Sequence, residues 1–382
     1  MMSDVTGGSV FQRMGLTPVI NAGGTNTKHS GSRMRPEVID AIEESSGVFL
    51  NIDELLIKAG EMIAEAIGVE AAFVTSGAAG GLVLQSAAVL TGTDVARIQS
   101  LPIADWFPNE LIIQRQHRFH YDHAYLMTGA KFVEVGKGRH CYPEEVEAAI
   151  GPNTAGIIHL VSPFTGAGDI PLPVLAEIGR KHNIPVICDA ASMLPPRENL
   201  KRYLDEGADI VSFSGGKGMR GPQSTGILIG RKDLIEAARL NAAPNQAIGR
   251  PMKVSKEEIV GLVAAVEAFV AEDQDAETQR FRRECEMVVD QITEIPGIRA
   301  QVEHDDKDHP IPHAVIYFER DWRGPDGEEI HRRLMARSPR VYLSPLGFMG
   351  EIYMDPINLQ DGEIEIVAEA IRDELLKASS GR

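Results

Sequence analysis

The chain is poor in cysteine, in aromatic residues and in clustered basic residues. Its three cysteines, Cys141, Cys188 and Cys285, stand far apart and form no CxxC pair, which excludes a zinc knuckle or a dithiol redox motif. So sparse and odd a count fits a reducing compartment, and the cytoplasm is the expected location. No run approaches ~18 consecutive apolar residues, so no membrane span is expected. The opening "MMSDVTGGSVFQRMGLTP" lacks the basic start and apolar stretch of a secretory signal. Lys plus Arg number 38 against 55 Asp plus Glu, a formal net charge of −17. A surface so acidic repels nucleic acid, and no block of Lys and Arg offers a local exception.

What is present is an ordinary globular balance, 43% apolar and 24% charged over 382 residues. At roughly 100–200 residues per domain that length suggests two or three domains. Between about residues 70 and 230, short β-rich runs alternate with helical ones: "AAFVT" (71–75), "ELIIQR" (110–115), "KFVEV" (131–135), "GIIHLV" (156–161), "PVICD" (185–189), "DIVSFS" (209–214) and "GILIG" (226–230). Most are apolar on both faces, as in a parallel sheet covered on both sides. The run "ELLIKAGEMIAEAIG" has helical spacing of its apolar residues. The fold expected is α/β, with a mainly parallel sheet. Beyond about residue 245 one long helix is predicted, with Ser255 as N-cap and Glu258 completing a capping box. Strands "HAVIYFE" and "RVYLSP" and a closing helix then suggest a separate α+β lobe. The expected division is an N-terminal segment 1–50, a large domain 51–245 and a small domain 246–382. The stretch "EHDDKDHPIPH" (303–313) reads as an exposed loop carrying solvated His304, His309 and His313.

One stretch, "VSFSGGKGMRGPQSTG", sets a lone lysine among five glycines. A phosphate-binding P-loop needs GxxxxGK followed by Ser or Thr. Here Gly216-Lys217 is followed by Gly218, and Val211 occupies the place of the first glycine, so that reading fails at both ends. The alternative makes Lys217 the reactive amine, forming a Schiff base with a carbonyl, its neighbouring glycines clearing room for a flat ring. A pyridoxal 5′-phosphate site also needs a carboxylate for the pyridine nitrogen and a phosphate anchor at a helix N-terminus. Asp189 ends an apolar strand, where α/β folds bind ligands. "VTSGAAGG" ends a strand and opens a helix, offering Ser76, Gly77 and Ala78 to a phosphate, with Ser214 as a second donor. His117 is a candidate to stack on the ring, with His120 next in line. Each feature alone also suits an ordinary turn, cap or packing role. Their succession in one α/β domain, phosphate loop, His, Asp, Lys, carries the argument.

The runs "PVINAGGTNTKHSGSRMRPEVIDAI" (18–42), "EAAFVTSGAAGGLVLQSAAVLTG" (70–92), "VICDAAS" and "FSGGKGMRGPQSTGILIG" resemble the family of bacterial selenocysteine synthase, the seryl-tRNA selenium transferase. The resemblance spans about residues 11–230, continues more faintly to the end, and is nearest to the tRNA-independent branch that includes D-glucosaminate-6-phosphate ammonia-lyase. It implies a fold-type I pyridoxal-phosphate enzyme, with an aspartate-aminotransferase-like large domain. It further implies Lys217 as the Schiff-base lysine, Asp189 on the pyridine nitrogen, and Ser192 near the ring hydroxyl. In such enzymes a small-lobe arginine often takes the substrate carboxylate, which nominates Arg340, with Arg332, Arg333 and Arg337 close by. A second subunit usually completes the site, so a homodimer or larger homo-oligomer is expected. Two departures stand out. Only about twenty residues precede "NAGGT", where the selenium transferase carries a tRNA-binding domain, and Arg220 replaces an expected apolar residue. Arg220 reads either a substrate anion or a neighbour; Arg33 and Arg35 are further candidates, with surface salt bridging as the alternative.

The array His117, His120, His123 does not converge on a helix or a strand, so no metal site is expected. The activity expected is that of a lyase on a small amino acid or amino-sugar acid. Lys217 takes the α-proton, a β-hydroxyl leaves, and hydrolysis gives a 2-oxo acid and ammonia. An aminotransferase, racemase or aldolase shares the first step. A non-catalytic binding protein on the same fold is the alternative from another class.

Overall fold

The computed structural model describes residues 9–162, 165, 168–305, 309–344 and 350–379. Its strands are β1 (Val19–Asn21), β2 (Ala71–Thr75), β3 (Glu110–Gln114), β4 (Lys131–Val135), β5 (Thr154–Leu160), β6 (Val186–Asp189), β7 (Ile210–Ser214), β8 (Gly226–Gly230), β9 (Ile298–Glu303), β10 (His313–Phe318), β11 (Arg340–Tyr342) and β12 (Ile352–Met354). The chain divides into two units, Gly31–Glu272 and Met1–Ser30 with Asp273–Arg382.

The larger unit is built on a seven-stranded sheet in the order β2-β8-β7-β6-β5-β3-β4. Its pairings are parallel except where β8 runs against β2 and β7. The strands are apolar on both faces because both faces are covered: Leu111, Ile112, Ile113, Ile157, Ile158, Ile187, Ile210, Val211 and Ile227 to Ile229 are all buried. Each such side chain stabilises the fold by about 1.5–3 kcal/mol. The helix Gly77–Thr91 is buried nearly all round, as its mostly small or apolar sequence requires. Because β2 and β3 to β7 share one direction, Thr75, Gln114, Val135, Leu160, Asp189 and Ser214 end at the same edge of the sheet.

The smaller unit holds the antiparallel sheet β12-β10-β9 and the parallel pair β1-β11. Val19 to Asn21 pair with Arg340 to Tyr342, so an N-terminal strand belongs with the C-terminal lobe. "NAGGT" is a loop-forming motif: the Asn21 and Asn358 amides donate to the Gly24 carbonyl at 2.9 and 3.0 Å, and Gly23 N–H donates to Asn21 Oδ1.

The boundaries fall at 30/31 and 272/273, where 50/51 and 245/246 were expected. The helix predicted to run on from Ser255 is two helices, Lys256–Ala271 and Gln274–Ile292. Glu272 is extended and Asp273 caps the second helix through Ala276 N–H. The first helix stays with the larger unit, where the bidentate Arg35–Glu272 ion pair ties its end down. The expected solvated loop also differs. His313 is buried on β10 beside Asp355, and His309 bonds to His313 and pairs with Glu303. Residues 306–308 lie outside the described residues.

Candidate active site

Asp189 is the last residue of β6 and is paired with Ser212 of β7 and Leu160 of β5. Lys217 lies three residues past the end of β7. Both are buried or nearly so, and each feels the other's charge. Burial lowers the Lys217 amine below its ordinary value, with Asp189 opposing the shift. Burial raises the Asp189 carboxyl, opposed by the Ala191 N–H at 3.0 Å from Oδ1 and by Lys217. Two groups of opposite charge are thus held out of water without a direct ion pair to neutralise them.

The glycines around the lysine serve packing. A Cβ on Gly216 would run into the backbone of Gln223, and one on Gly218 into the backbone of Leu194. They let the loop pass close to two other backbones on either side of Lys217. Clearance for a ring, the expected reason, is not what these contacts require.

Ser76 precedes the helix Gly77–Thr91 but gives it no side-chain cap, and its first turn carries no acidic residue. A helix of 15 residues with its N-terminal amides uncapped is an anion site in waiting. Gly226 of β8 packs on this turn so closely that a Cβ there would lie 2.5 Å from Gly77 C and 2.7 Å from Ala78 N. Ser212 Oγ donates to Ala78 O at 3.2 Å. Since Gly226 is paired with both Thr75 and Ser214, the helix start and the end of β7 share one sheet edge. The hydroxyls of Ser76, Ser192 and Ser214 have no hydrogen-bond partner among the described residues.

His117 follows β3 and is buried, whereas His120 and His123 are exposed. Leu160 N–H donates to its Nδ1 at 3.2 Å, and Nε2 lies 3.0 Å from Asp169 Oδ2. His159 touches the ring edge-to-face; burial and His117 lower its pKa to about 3, so it is neutral. No group of three His, Cys, Asp or Glu among the described residues is arranged to hold a metal ion.

The arginines sort by partner. Arg35 is paired with Glu272, Arg337 with Asp373 and Glu374, and Arg332 and Arg333 with Glu329. Arg220 adopts φ +58° and donates from Nε to Arg33 O, while Arg35 N–H donates to Arg220 O. Its contacts on this side are with neighbours. Arg340, on β11 of the smaller unit, has no hydrogen-bond or ion-pair partner among the described residues. Asp169 and His159 were not foreseen: nothing in "GAGDIP" distinguishes Asp169 from a turn former.

The donor set suits a flat, anionic group with a carbonyl and a basic ring nitrogen. It offers a buried amine, a buried carboxylate, an uncapped helix start and unpartnered hydroxyls. The comparisons agree. The family model for L-seryl-tRNA selenium transferase matches residues 58–295. D-glucosaminate-6-phosphate ammonia lyase of Salmonella typhimurium is 29% identical over 371 residues, covering 96% of this chain and 97% of that protein. A 5′-C-glycyluridine monooxygenase-decarboxylase of Streptomyces sp is 31% identical over 366 residues, covering 94% and 90%. The solved structure of a D-glucosaminate-6-phosphate ammonia-lyase superposes with a TM-score of 0.83 at 27% identity, covering 98% of this chain and all of that one. The fold is that of the fold-type I enzymes and the cofactor is pyridoxal 5′-phosphate. The chain belongs to the L-seryl-tRNA selenium transferase family.

Proposed function

We propose that the protein is a pyridoxal-phosphate-dependent lyase of the ammonia-lyase type. Its substrate is a small hydroxy amino acid or amino-sugar acid, which loses its α-proton and β-hydroxyl. The observation that carries this reading is the buried Lys217–Asp189 pair at the C-terminal edge of the sheet. The bound cofactor supplies an electron sink for the α-carbon. Lys217 would hold the cofactor and its Nζ would accept the substrate's α-proton; burial keeps that amine closer to the neutral form a base needs. Asp189 would pair with the pyridine nitrogen and keep it protonated. The amides of Gly77 and Ala78 with the hydroxyls of Ser76 and Ser214 would hold the phosphate and Ser192 would bond the ring hydroxyl, whereas the His117 side chain, the expected stacking group, is enclosed by protein.

Arg340 takes the substrate carboxylate, a role supported by its lack of a partner among the described residues where Arg332, Arg333 and Arg337 are committed. Arg220 is the second candidate for a substrate anion. The working form is a homodimer or larger homo-oligomer; exposed Val48, Phe49 and Leu50 between two helices suit a protein contact. Three free, buried cysteines suit the cytoplasm. The acidic charge argues against a tRNA substrate.

Incubation with a panel of D- and L-hydroxy amino acids and phosphorylated amino-sugar acids should release a 2-oxo acid and ammonia in equal amounts. Amino transfer to an added 2-oxo acid, racemisation or aldehyde release without ammonia would replace the lyase reading. The Streptomyces relative supports a second reading, oxidative decarboxylation at the α-carbon. Oxygen consumption and carbon dioxide release with substrate would favour it; an unchanged rate without oxygen would exclude it.

A further inference from the structure

His117, His309 and His313 each face a carboxylate, that of Asp169, Glu303 and Asp355 respectively. Two other histidines of the smaller unit do not. His29 stacks on Tyr342 with ring centroids 3.2 Å apart and planes at 24°, and His331 meets the same ring at 4.9 Å and 85°. The charged groups that act on His29 are His331 and Lys28, and no carboxylate is among them. Burial, then His331, then Lys28 push the His29 imidazole below its ordinary pKa, and burial pushes His331 down as well. In a chain with 55 acidic residues against 38 basic ones, this cluster lacks a counter-ion.

The local fold builds the cluster. Lys28 and His29 lie in the short 3₁₀ turn Thr27–His29, just past "NAGGT". Asn26 Oδ1 accepts the Lys28 N–H at 2.9 Å, and Ser30 ends the turn at φ +72°. His331 comes from the helix Gly327–Ala336. Tyr342 ends β11, and Gly23 leaves it room, since a Cβ there would overlap the tyrosine ring. One fixed tyrosine thus gathers both imidazoles. Packing alone would be served by two apolar rings, without cationic neighbours that disfavour one another.

The free nitrogens can donate. His331 Nδ1 is enclosed and has no partner, so a proton there would be a buried N–H without an acceptor. The neutral ring therefore carries its proton on Nε2. Neither ring nitrogen of His29 has a hydrogen-bond partner among the described residues. Lys28 is exposed and forms no ion pair among them. A phosphate monoester matches this set: it carries about −1.5 to −2 charges at neutral pH and three strong acceptor oxygens.

We propose that Lys28, His29 and His331 form an anion site on the smaller unit that takes a phosphate monoester. The site does not depend on the lyase reading. Its phosphate belongs either to a substrate or to a separate metabolite, and the test distinguishes the two.

The test uses the full-length, cofactor-loaded protein, so that the helix start proposed for the cofactor's phosphate is already filled. Histidine nitrogens are labelled for NMR, and inorganic phosphate is titrated in at neutral pH against chloride of equal ionic strength. The His29 and His331 signals should move together and saturate with phosphate alone. Phosphate should also raise both titration midpoints, because a nearby anion favours the charged imidazole. His29→Phe keeps a flat ring on Tyr342 and removes the donor. It should weaken phosphate about tenfold or more and leave the denaturant midpoint unchanged; His331→Phe should weaken phosphate similarly. Lys28→Ala, at an exposed position, should cost about two- to fivefold. Shifts reproduced by chloride, no saturable shift, or equal phosphate affinity in wild type, His29→Phe and His331→Phe would overturn the proposal. Should the variants not fold, the wild-type titration decides alone. With a phosphorylated substrate that is turned over, a raised KM and unchanged kcat in His29→Phe assign the phosphate to the substrate. A rate that responds to free phosphate at saturating substrate, and no longer does so in His29→Phe, assigns it to a separate metabolite; both results support the site. Phosphate binding here in a protein without lyase activity would remove the lyase reading and leave the site standing.

Discussion

The two ends of the adjacent strands β6 and β7 treat charge in opposite ways. At the end where β6 and β7 begin, Asp209 accepts the Val186 N–H at 2.8 Å and an Arg231 nitrogen at 2.9 Å, and Arg231 also pairs with Asp233. The groups there answer one another, and the Asp233 carboxyl is held below its ordinary pKa by its Arg231 hydrogen bond. At the end where the same strands finish, Lys217 and Asp189 are buried, and burial pushes both toward their neutral forms. The helix there starts uncapped, and three serine hydroxyls lack partners among the described residues. The paired end holds the fold together. The unpaired end costs stability and is where a ligand must complete the chemistry.

That contrast can be broken most severely at Lys217. Lys217→Met should lower turnover by roughly 10²–10⁴-fold, since it removes the base as well as the cofactor's attachment. The same variant sharpens the contrast in the apo-protein. A lysine whose folded pKa is depressed binds fewer protons folded than unfolded, so its contribution to stability improves as pH rises toward the ordinary lysine value. Apo Lys217→Met should therefore be more stable than apo wild type at neutral pH, with the difference closing as pH rises, read by denaturant melts. Asp189→Asn should cost roughly 10²–10³-fold in turnover, as lost electrostatic stabilisation does. Its carboxyl is raised when folded, a penalty that grows as pH rises above the ordinary carboxylate range, so this variant too should stabilise the apo-protein near neutrality.

Gly226→Ala should act on both fold and site. Its Cβ meets Gly77 and Ala78, so the cost is about 1–3 kcal/mol in stability together with weaker cofactor binding, measured by melts and titration. The smallest effect belongs to the paired end. Asp209→Ala should lose about 1–2 kcal/mol and leave the cofactor Kd unchanged. A shift in Kd from Asp209→Ala as large as that from Gly226→Ala would erase the distinction between the ends.

Much of the larger unit was legible because its signals are local. Strand runs bounded by turn residues gave β2, β4 and β8 at their full extent, and placed Asp189 and Ser76 at strand ends. Lys217 stood out because a long side chain among glycines is unusual. What was missed depends on distant partners. The break after the helix Lys256–Ala271 carries no proline or glycine, and the ion pair at its end joins Glu272 to Arg35, 237 residues away. The strand β1 gains its meaning from β11, and His117 from Asp169 and Leu160. Room for a ring is the reason the sequence suggests for Gly216 and Gly218, yet a Cβ at either would meet the backbone of Gln223 or Leu194. Such approaches leave no trace in a single sequence beyond the glycine itself.

The central claim, that Lys217 holds pyridoxal 5′-phosphate at the unpaired end of the sheet, is tested most directly by borohydride reduction of the cofactor-loaded protein followed by peptide mass mapping. The account predicts one phosphopyridoxyl adduct, on the peptide carrying Lys217, and none in Lys217→Met. An adduct on another lysine, or a wild-type protein that takes up cofactor and yields no adduct, would contradict it.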